Sequence, residues 1–225
     1  MNKLFSFVRL DFFTVKPYFT VKNLLIYAVV AIFLTTMSGN ISSGMSVGIM
    51  LGTMFISYPF AVGEKSNMDA LYATLSLNRK TVVTGRYLFA FAFNLCAVLF
   101  SVVFAIAGIL VSGAAGLTMG KGEILLVGIL LAAIFIIIQA IQLPFFFKMG
   151  YTKAKFLSLV PFVAIMTGYM VFMTASKDNG IVNQIEGFLI RLTSGALVGL
   201  AVLALFFICF LSYRLSLSFY KKREF

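Results

Sequence analysis

Residues 23–63 read NLLIYAVVAIFLTTMSGNISSGMSVGIMLGTMFISYPFAVG, and none of these 41 side chains is charged. A helix needs about 20 apolar residues to cross the hydrocarbon core of a bilayer, so the stretch is long enough for two crossings. The cluster of turn-forming residues at 38–44 divides it near its middle. We therefore predict a first membrane span at about 23–38 and a second at about 42–62.

The rest of the chain repeats this pattern of uncharged stretches bounded by charged residues. Of the 225 residues, 61% are hydrophobic and only 11% are charged, whereas a soluble domain carries about 25% charged residues. Helices are expected because open strand edges would leave backbone groups unpaired in lipid. We predict an all-α membrane protein with a single transmembrane domain over 1–225. Its four further spans are expected at about 85–112, 124–147, 156–176 and 192–213.

The distribution of basic residues predicts the orientation. Fifteen of the 18 Lys and Arg side chains fall in segments that six spans would place on one side, namely 1–22, 63–86, 148–155 and 214–225. The positive-inside rule assigns this side to the cytoplasm, so both termini are predicted to be cytoplasmic. The basic residues gather at the ends of apolar runs. The net charge of +11 therefore indicates a membrane-lipid partner, and no nucleic-acid partner is expected.

An amphipathic helix is predicted ahead of the first span. Apolar side chains recur there at roughly helical spacing, at Leu4, Phe5, Val8, Phe12 and Val15, with charged ones between them at Lys3, Arg9, Asp11 and Lys16. This pattern is typical of a helix that lies in the membrane interface. We expect it to turn into the first span near Pro17.

A second short helix is predicted in the loop 63–82, between spans two and three. Its apolar positions recur at helical spacing, at Met68, Leu71, Tyr72 and Leu75. Asp69 lies near its start, where a carboxylate interacts favourably with the helix dipole. We predict that this helix covers about 64–77 and presses against the inner face of the membrane domain.

The sequence contains no recognisable catalytic set. It has no His, so imidazole is not available as a general base or a metal ligand, and no metal site is predicted. The glycine-rich residues 113–122 do not match the spacing of a phosphate-binding loop. Cys96 and Cys209 lie deep in apolar runs and are interpreted as packing residues. We expect neither enzymatic activity nor a bound cofactor in this chain.

Two further patterns lie within the predicted spans. Glycines four residues apart, at Gly44, Gly48 and Gly52 and again at Gly195 and Gly199, allow helix backbones to approach closely. This packing is expected either within the subunit or against a second copy. Polar side chains occur at Asn94, Gln139 and Gln142. They are expected either to line a pathway or to form hydrogen bonds between helices.

The segment 64–88 resembles a known family. It combines Glu64-Lys65, Leu75-Ser76-Leu77, Asn78-Arg79-Lys80, Val83 and Arg86-Tyr87-Leu88. This pattern resembles the permease subunits of ABC-2-type exporters, in the branch of small six-span half-transporters of bacteria. Asn78 stands where that family commonly has Pro, and both residues favour turns.

The resemblance implies a permease that works as a homodimer in the bacterial plasma membrane, with two copies of a separate ATPase subunit that binds ATP and Mg. The loop helix would be the coupling helix and the N-terminal helix would brace it. The ATPase-coupling residues would be Glu64, Lys65, Met68, Asp69, Leu71, Tyr72, Leu75, Arg79 and Lys80. Alternating access would export amphipathic peptides or hydrophobic compounds. The alternatives are a non-transporting immunity or regulatory membrane protein and a membrane-embedded enzyme.

Overall fold

The computed structural model describes residues 3–18, 20–38, 41–74, 77–112, 121–157, 160, 163, 167 and 195–223. Within these ranges the chain forms helices and contains no strand. The helices are α1 (Lys3–Val15), α2 (Val21–Ser38), α3 (Ile41–Lys65), α4 (Met68–Thr74), α5 (Arg79–Ser112), α6 (Lys121–Leu157) and α7 (Gly195–Lys221). A 3-10 turn, Lys16–Tyr18, separates α1 from α2. The prediction of an all-α protein is therefore confirmed for the described part of the chain.

Several of these helices are suited to cross a membrane. Arg79–Gly108, Val127–Phe156 and Gly199–Lys221 are each long and apolar enough to do so. Leu4–Tyr18 and Val21–Met37 meet the same criteria together, as a pair bent by 76°. The described residues thus contain three candidate spans, or four with the bent pair. Most of the predicted span 156–176 and the start of the predicted span 192–213 lie outside the described residues, and the number six stays a prediction.

The helices α5 and α7 extend beyond the predicted spans. The helix α5 begins at Arg79 rather than near residue 85, and α7 continues to Lys221. Asn78 caps the start of α5, because its side-chain oxygen accepts a hydrogen bond from the backbone N–H of Lys80 at 3.0 Å. The added turns bring polar and charged side chains to one end of the bundle.

The helix α1 is present as predicted, and the chain bends near Pro17, but one charged side chain of α1, that of Asp11, is buried. Phe7, Asp11 and Val15 are buried at successive turns, on the side that packs against α5 and α3. Phe5 and Phe12 are exposed. The assignment of Asp11 to a polar solvent-facing side was wrong, because a basic partner on α5 receives this carboxylate inside the protein.

The helix α4 is shorter than the predicted 64–77. The helix α3 continues to Lys65, and Asn67 has a φ of 47°, a left-handed conformation that asparagine tolerates better than most residues. At Asn67 the chain changes direction after α3, so α4 covers only Met68–Thr74. Leu71 is exposed rather than pressed inward, because in so short a helix Met68 and Tyr72 fill the buried side. Leu75 lies outside the described residues.

The helix α3 packs against α2, α5 and α6, and α7 packs against α6 and α5. One apolar cluster joins the middle of this bundle, around Ile56, Phe89 and Leu143. A second cluster lies at the end where α4 is found, and its buried members are Phe7, Tyr72, Val82, Val83, Phe147 and Tyr220. These six residues come from α1, α4, α5, α6 and α7, so this end of the bundle is where the helices meet.

Candidate functional site

The second apolar cluster is surrounded by charged and polar side chains, and we call the region the helix-end junction. It contains the buried side of α1, the end of α3, all of α4, the start of α5, the kink of α6 and the end of α7. Its polar members are Asp11, Glu64, Asp69, Arg79, Arg86, Thr152, Tyr220 and Arg223. The sequence predicted three of them for coupling, namely Glu64, Asp69 and Arg79.

Arg86 forms the buried centre of the junction. Its Nε lies 3.1 Å from Oδ2 of Asp11, and the two side chains are only 5% and 1% exposed. The two atoms are at ion-pair distance without the alignment of a hydrogen bond. The guanidinium also lies over the ring of Phe60, 4.4 Å from its centroid, which is a favourable cation–π distance. Arg86 of α5 therefore holds α1 and contacts α3.

Gly85, next to Arg86, lets α1 approach α5. A methyl group added at Gly85 would overlap the ring of Phe7. The same ring packs edge-to-face against Tyr72 of α4, with centroids 5.2 Å apart. Burial raises the pKa of the Tyr72 phenol, and the nearby positive charge of Arg86 only partly opposes this shift. Tyr72 is thus a neutral side chain that packs α4 onto α1.

The polar contacts of α4 are made by Asp69, which is partly buried. The Tyr220 hydroxyl donates a hydrogen bond to Oδ1 of Asp69 at 2.9 Å, and Nη1 of Arg223 lies 3.6 Å from Oδ2. The Tyr220 ring packs edge-to-face against Phe147 of α6 at 5.4 Å. A carboxylate in the first turn of α4 is therefore bonded to the last turn of α7.

Glu64 joins the end of α3 to the kink of α6. Its Oε2 accepts a hydrogen bond from the backbone N–H of Thr152 at 3.0 Å. Partial burial raises the pKa of the Glu64 carboxyl, but hydrogen bonds from Thr152 and from the backbone of Tyr151, together with the charge of Arg223, outweigh it and lower the pKa. Glu64 is thus held in its charged form.

Gly150 makes the kink of α6 possible. Its φ of 75° and ψ of 174° lie in a region that is essentially restricted to glycine. A Cβ at this position would lie 2.8 Å from Oε2 of Glu64 and 3.1 Å from Nη2 of Arg223. The absence of a side chain at Gly150 therefore permits both the bend and the close approach of two charged groups.

A row of hydroxyl groups continues from the junction along α5 and α7. The Tyr87 hydroxyl lies 2.6 Å from the Ser212 hydroxyl and 2.8 Å from that of Ser216. Thr84 and Tyr213 are joined in the same way at 3.0 Å. Ser212 also donates to the carbonyl of residue 140 in α6. Neither this row nor the Asp11–Arg86 pair was predicted from the sequence, because their members are far apart in the chain.

The remaining predicted coupling residues lie at the surface of the junction. Lys65, Leu71 and Lys80 are exposed, and Met68 is partly buried. A cavity of about 30 Å³ lies between the charged residues of the junction, which is room for a water molecule and not for a cargo molecule. The junction is thus closely packed around its charged groups.

The predicted packing glycines fall into different environments. A methyl group at Gly44 would overlap Oγ1 of Thr35 and lie 3.2 Å from the carbonyl oxygen of Ala31, so Gly44 packs α3 against α2 within the subunit. Gly48 and Gly52 lie inside α3, and Gly195 is the first residue of α7. At Gly199 an added methyl group would meet no atom of the described residues within 4 Å.

The predicted pathway residues are all buried, with Asn94 3%, Gln139 4% and Gln142 6% exposed. Asn94 lines a groove of about 530 Å³ between α5 and α6, and the other lining residues are apolar, among them Phe91 and Ile136. A role of these residues in a pathway remains a prediction. Among the described residues, no group of three His, Cys, Asp or Glu side chains is placed to hold a metal ion.

The family comparison covers nearly the whole chain. Residues 6–221 match the model of a family described as ABC-2 family transporter protein. No curated protein and no solved structure matches the chain. The match includes every part of the helix-end junction except Arg223, and it agrees with a multi-pass membrane protein that serves as the membrane component of a transporter. The chain belongs to the ABC-2 family of transporter proteins.

Proposed function

We propose that this chain is the permease subunit of an ATP-driven exporter, and that a separate subunit binds ATP and Mg and hydrolyses the ATP. Membership of the ABC-2 family supports the proposal, because permeases of this family typically work with an ATPase partner. The observation that carries it is the environment of α4. This helix is bonded to the junction on one side, while Leu71 on its other side is 46% exposed.

The helix α4 is then the coupling helix, and the predicted coupling residues divide into two groups. Lys65, Leu71 and Lys80 are exposed and would contact the ATPase. Glu64, Met68, Asp69, Tyr72 and Arg79 face the junction and would pass a displacement of α4 to other helices. An exposed leucine on a short helix held by buried contacts has the features of a docking element.

The placement of the junction also supports cytoplasmic termini. The segments 63–86, 148–155 and 214–225 were each predicted to be cytoplasmic from their basic residues. Described parts of all three meet at one end of the bundle, through contacts such as Glu64 with Thr152 and Asp69 with Arg223. The junction would therefore face the cytoplasm, where an ATPase has access to α4.

The complete transporter would contain two copies of this permease and two ATPase subunits in the bacterial plasma membrane. The cargo would be an amphipathic peptide or a hydrophobic compound, exported by alternating access. ATP-dependent flux in vesicles separates this function from that of a non-transporting immunity or regulatory protein. Cargo movement by the isolated chain without an ATPase would contradict the proposal.

The replacement Leu71→Ala tests the docking role of α4. Alanine keeps the helix propensity of this position and removes an exposed apolar contact. We expect the affinity for the ATPase to fall about tenfold, the size of effect found when a central interface residue is truncated. Affinity is measured by titrating the purified permease with its ATPase subunit in detergent.

Leu215→Ala is the matched control, since Leu215 is a half-exposed leucine of α7. It should leave ATPase affinity unchanged. Equal affinity of the Leu71→Ala variant and the wild type would show that α4 does not dock the ATPase.

A further inference from the structure

Besides the contact of Asp69 with α7, the first residue of α5, Arg79, also contacts the end of α7. The side chain of Arg79, at the start of α5, donates hydrogen bonds to the backbone carbonyls of Tyr220, at 3.2 Å, and of Lys221. The last carbonyls of a helix have no partner within the helix, so Arg79 satisfies two groups at the end of α7. The segment 69–79 is therefore fastened to the last turn of α7 at both of its ends.

These contacts link parts of the chain that are distant in sequence. Asp69 and Tyr220 are separated by 151 positions, and no covalent connection forces α4 to move with α7. Tyr220 is only 3% exposed, so the donor side of this hydrogen bond is buried, while the Asp69 carboxylate is partly exposed. The Arg223–Asp69 pair is about 30% exposed and adds a weaker contact.

We propose that Tyr220 is a positioning residue through which a displacement of α4 is transmitted to α7. The inference rests on the proposed role of α4 as the coupling helix. Without this bond, α4 would be joined to α7 only by the partly exposed Arg223–Asp69 pair and, through the start of α5, by Arg79. With it, α4 is bonded through a buried side chain to a helix of 27 residues, which is about 40 Å long and reaches across a bilayer. A displacement at one end of α7 then moves the other end of this helix as well.

The test is the replacement Tyr220→Phe in the complete transporter. It removes the hydroxyl that bonds Asp69 and keeps the ring that packs on Phe147. With a fluorescently labelled amphipathic peptide as the transported probe, we expect the peptide transported per ATP hydrolysed to fall about tenfold, because a hydrogen bond to a charged group is lost. ATPase binding should be unchanged, since the exposed side of α4 is intact. The double variant Asp69→Asn/Tyr220→Phe should lose no more than Asp69→Asn alone, because the Tyr220 hydroxyl acts through Asp69, which also pairs with Arg223.

Tyr213→Phe is the matched control. It also removes a tyrosine hydroxyl that bonds α7 to α5, through Thr84, but it does not touch α4. This variant should keep the transport-to-ATP ratio of the wild type even where its thermal stability falls.

Three results would overturn the inference. An unchanged ratio in the Tyr220→Phe variant would contradict the transmission role alone. An equal loss in the Tyr213→Phe variant would show that any α5–α7 or α4–α7 hydrogen bond has the same structural effect. A wild-type chain that binds no ATPase would contradict the proposed function and the inference with it.

Discussion

Replacing Arg86 by methionine is expected to destabilise the folded chain by about 3–5 kcal/mol, because the Asp11 carboxylate would then be buried without a cation. Asp11 is 1% exposed, so water does not reach it in place of the guanidinium. The variant should also lose the contact of Arg86 with the Phe60 ring. Thermal unfolding in detergent measures the loss. Trypsin cleavage after Arg9 reports directly on release of α1.

Two further variants make this result specific. The double variant Asp11→Leu/Arg86→Met removes both charges and should recover most of the lost stability, since a buried ion pair is often replaceable by apolar side chains of similar volume. Arg214→Met changes an exposed arginine of α7 and should shift stability by about 0.5 kcal/mol at most. If the double variant is as unstable as Arg86→Met, the unpaired charge of Asp11 is not the reason for the lost stability.

Gly150→Ala is expected to have the second-largest effect, a loss of about 2–4 kcal/mol. The backbone at Gly150, with a φ of 75° and a ψ of 174°, costs a non-glycine residue about 1–3 kcal/mol. The new methyl group would also lie 2.8 Å from Oε2 of Glu64, so the contact of Glu64 with Thr152 must open. Thermal unfolding and protection of the Thr152 amide from hydrogen exchange measure the two effects.

Gly199→Ala is the matched control for Gly150→Ala, and no loss of stability is expected for it. Gly199 lies within α7, and its added methyl group meets no described atom within 4 Å. Alanine is favoured over glycine in a helix by about 1 kcal/mol, so this variant should be neutral or more stable. If Gly199→Ala lowered the stability as much as Gly150→Ala, the backbone conformation and close contacts of Gly150 would not be the cause of the loss.

Local pattern was enough to find α4 and to place Asp69 at its start. The spacing of Met68 and Tyr72 indicates one buried side, and the structure confirms that side. The pattern did not reveal where α3 ends, because that depends on the left-handed conformation of Asn67. Nor did it show that Leu71 is exposed, since a seven-residue helix has room for only one buried turn.

The contacts of the junction were beyond the reach of a single sequence. Asp11 alternates with apolar residues, which made it look like part of a solvated side, and its partner Arg86 is 75 positions away. Tyr220 lies in the predicted cytoplasmic segment 214–225, where no local pattern marks it as a partner of Asp69. Pairing two such residues requires knowledge of how the helices pack, and helical spacing within one segment carries no such information. Gly150, directly after Lys148-Met149 in a predicted inner loop, was the one local hint of the kink.

The difference in burial between the two ion pairs has a consequence for ionic strength. Asp11 and Arg86 are shielded from solvent, so dissolved ions do not screen their attraction, and α1 stays fixed to α5 in concentrated salt. Asp69 and Arg223 are about 30% exposed and 3.6 Å apart, and at 1 M salt the screening length is only about 3 Å. Added salt therefore weakens the contact of Arg223 with Asp69 of α4, whereas the contact of Asp11 in α1 with Arg86 is unchanged. The junction has one salt-sensitive contact and one salt-resistant contact within the same cluster of helices.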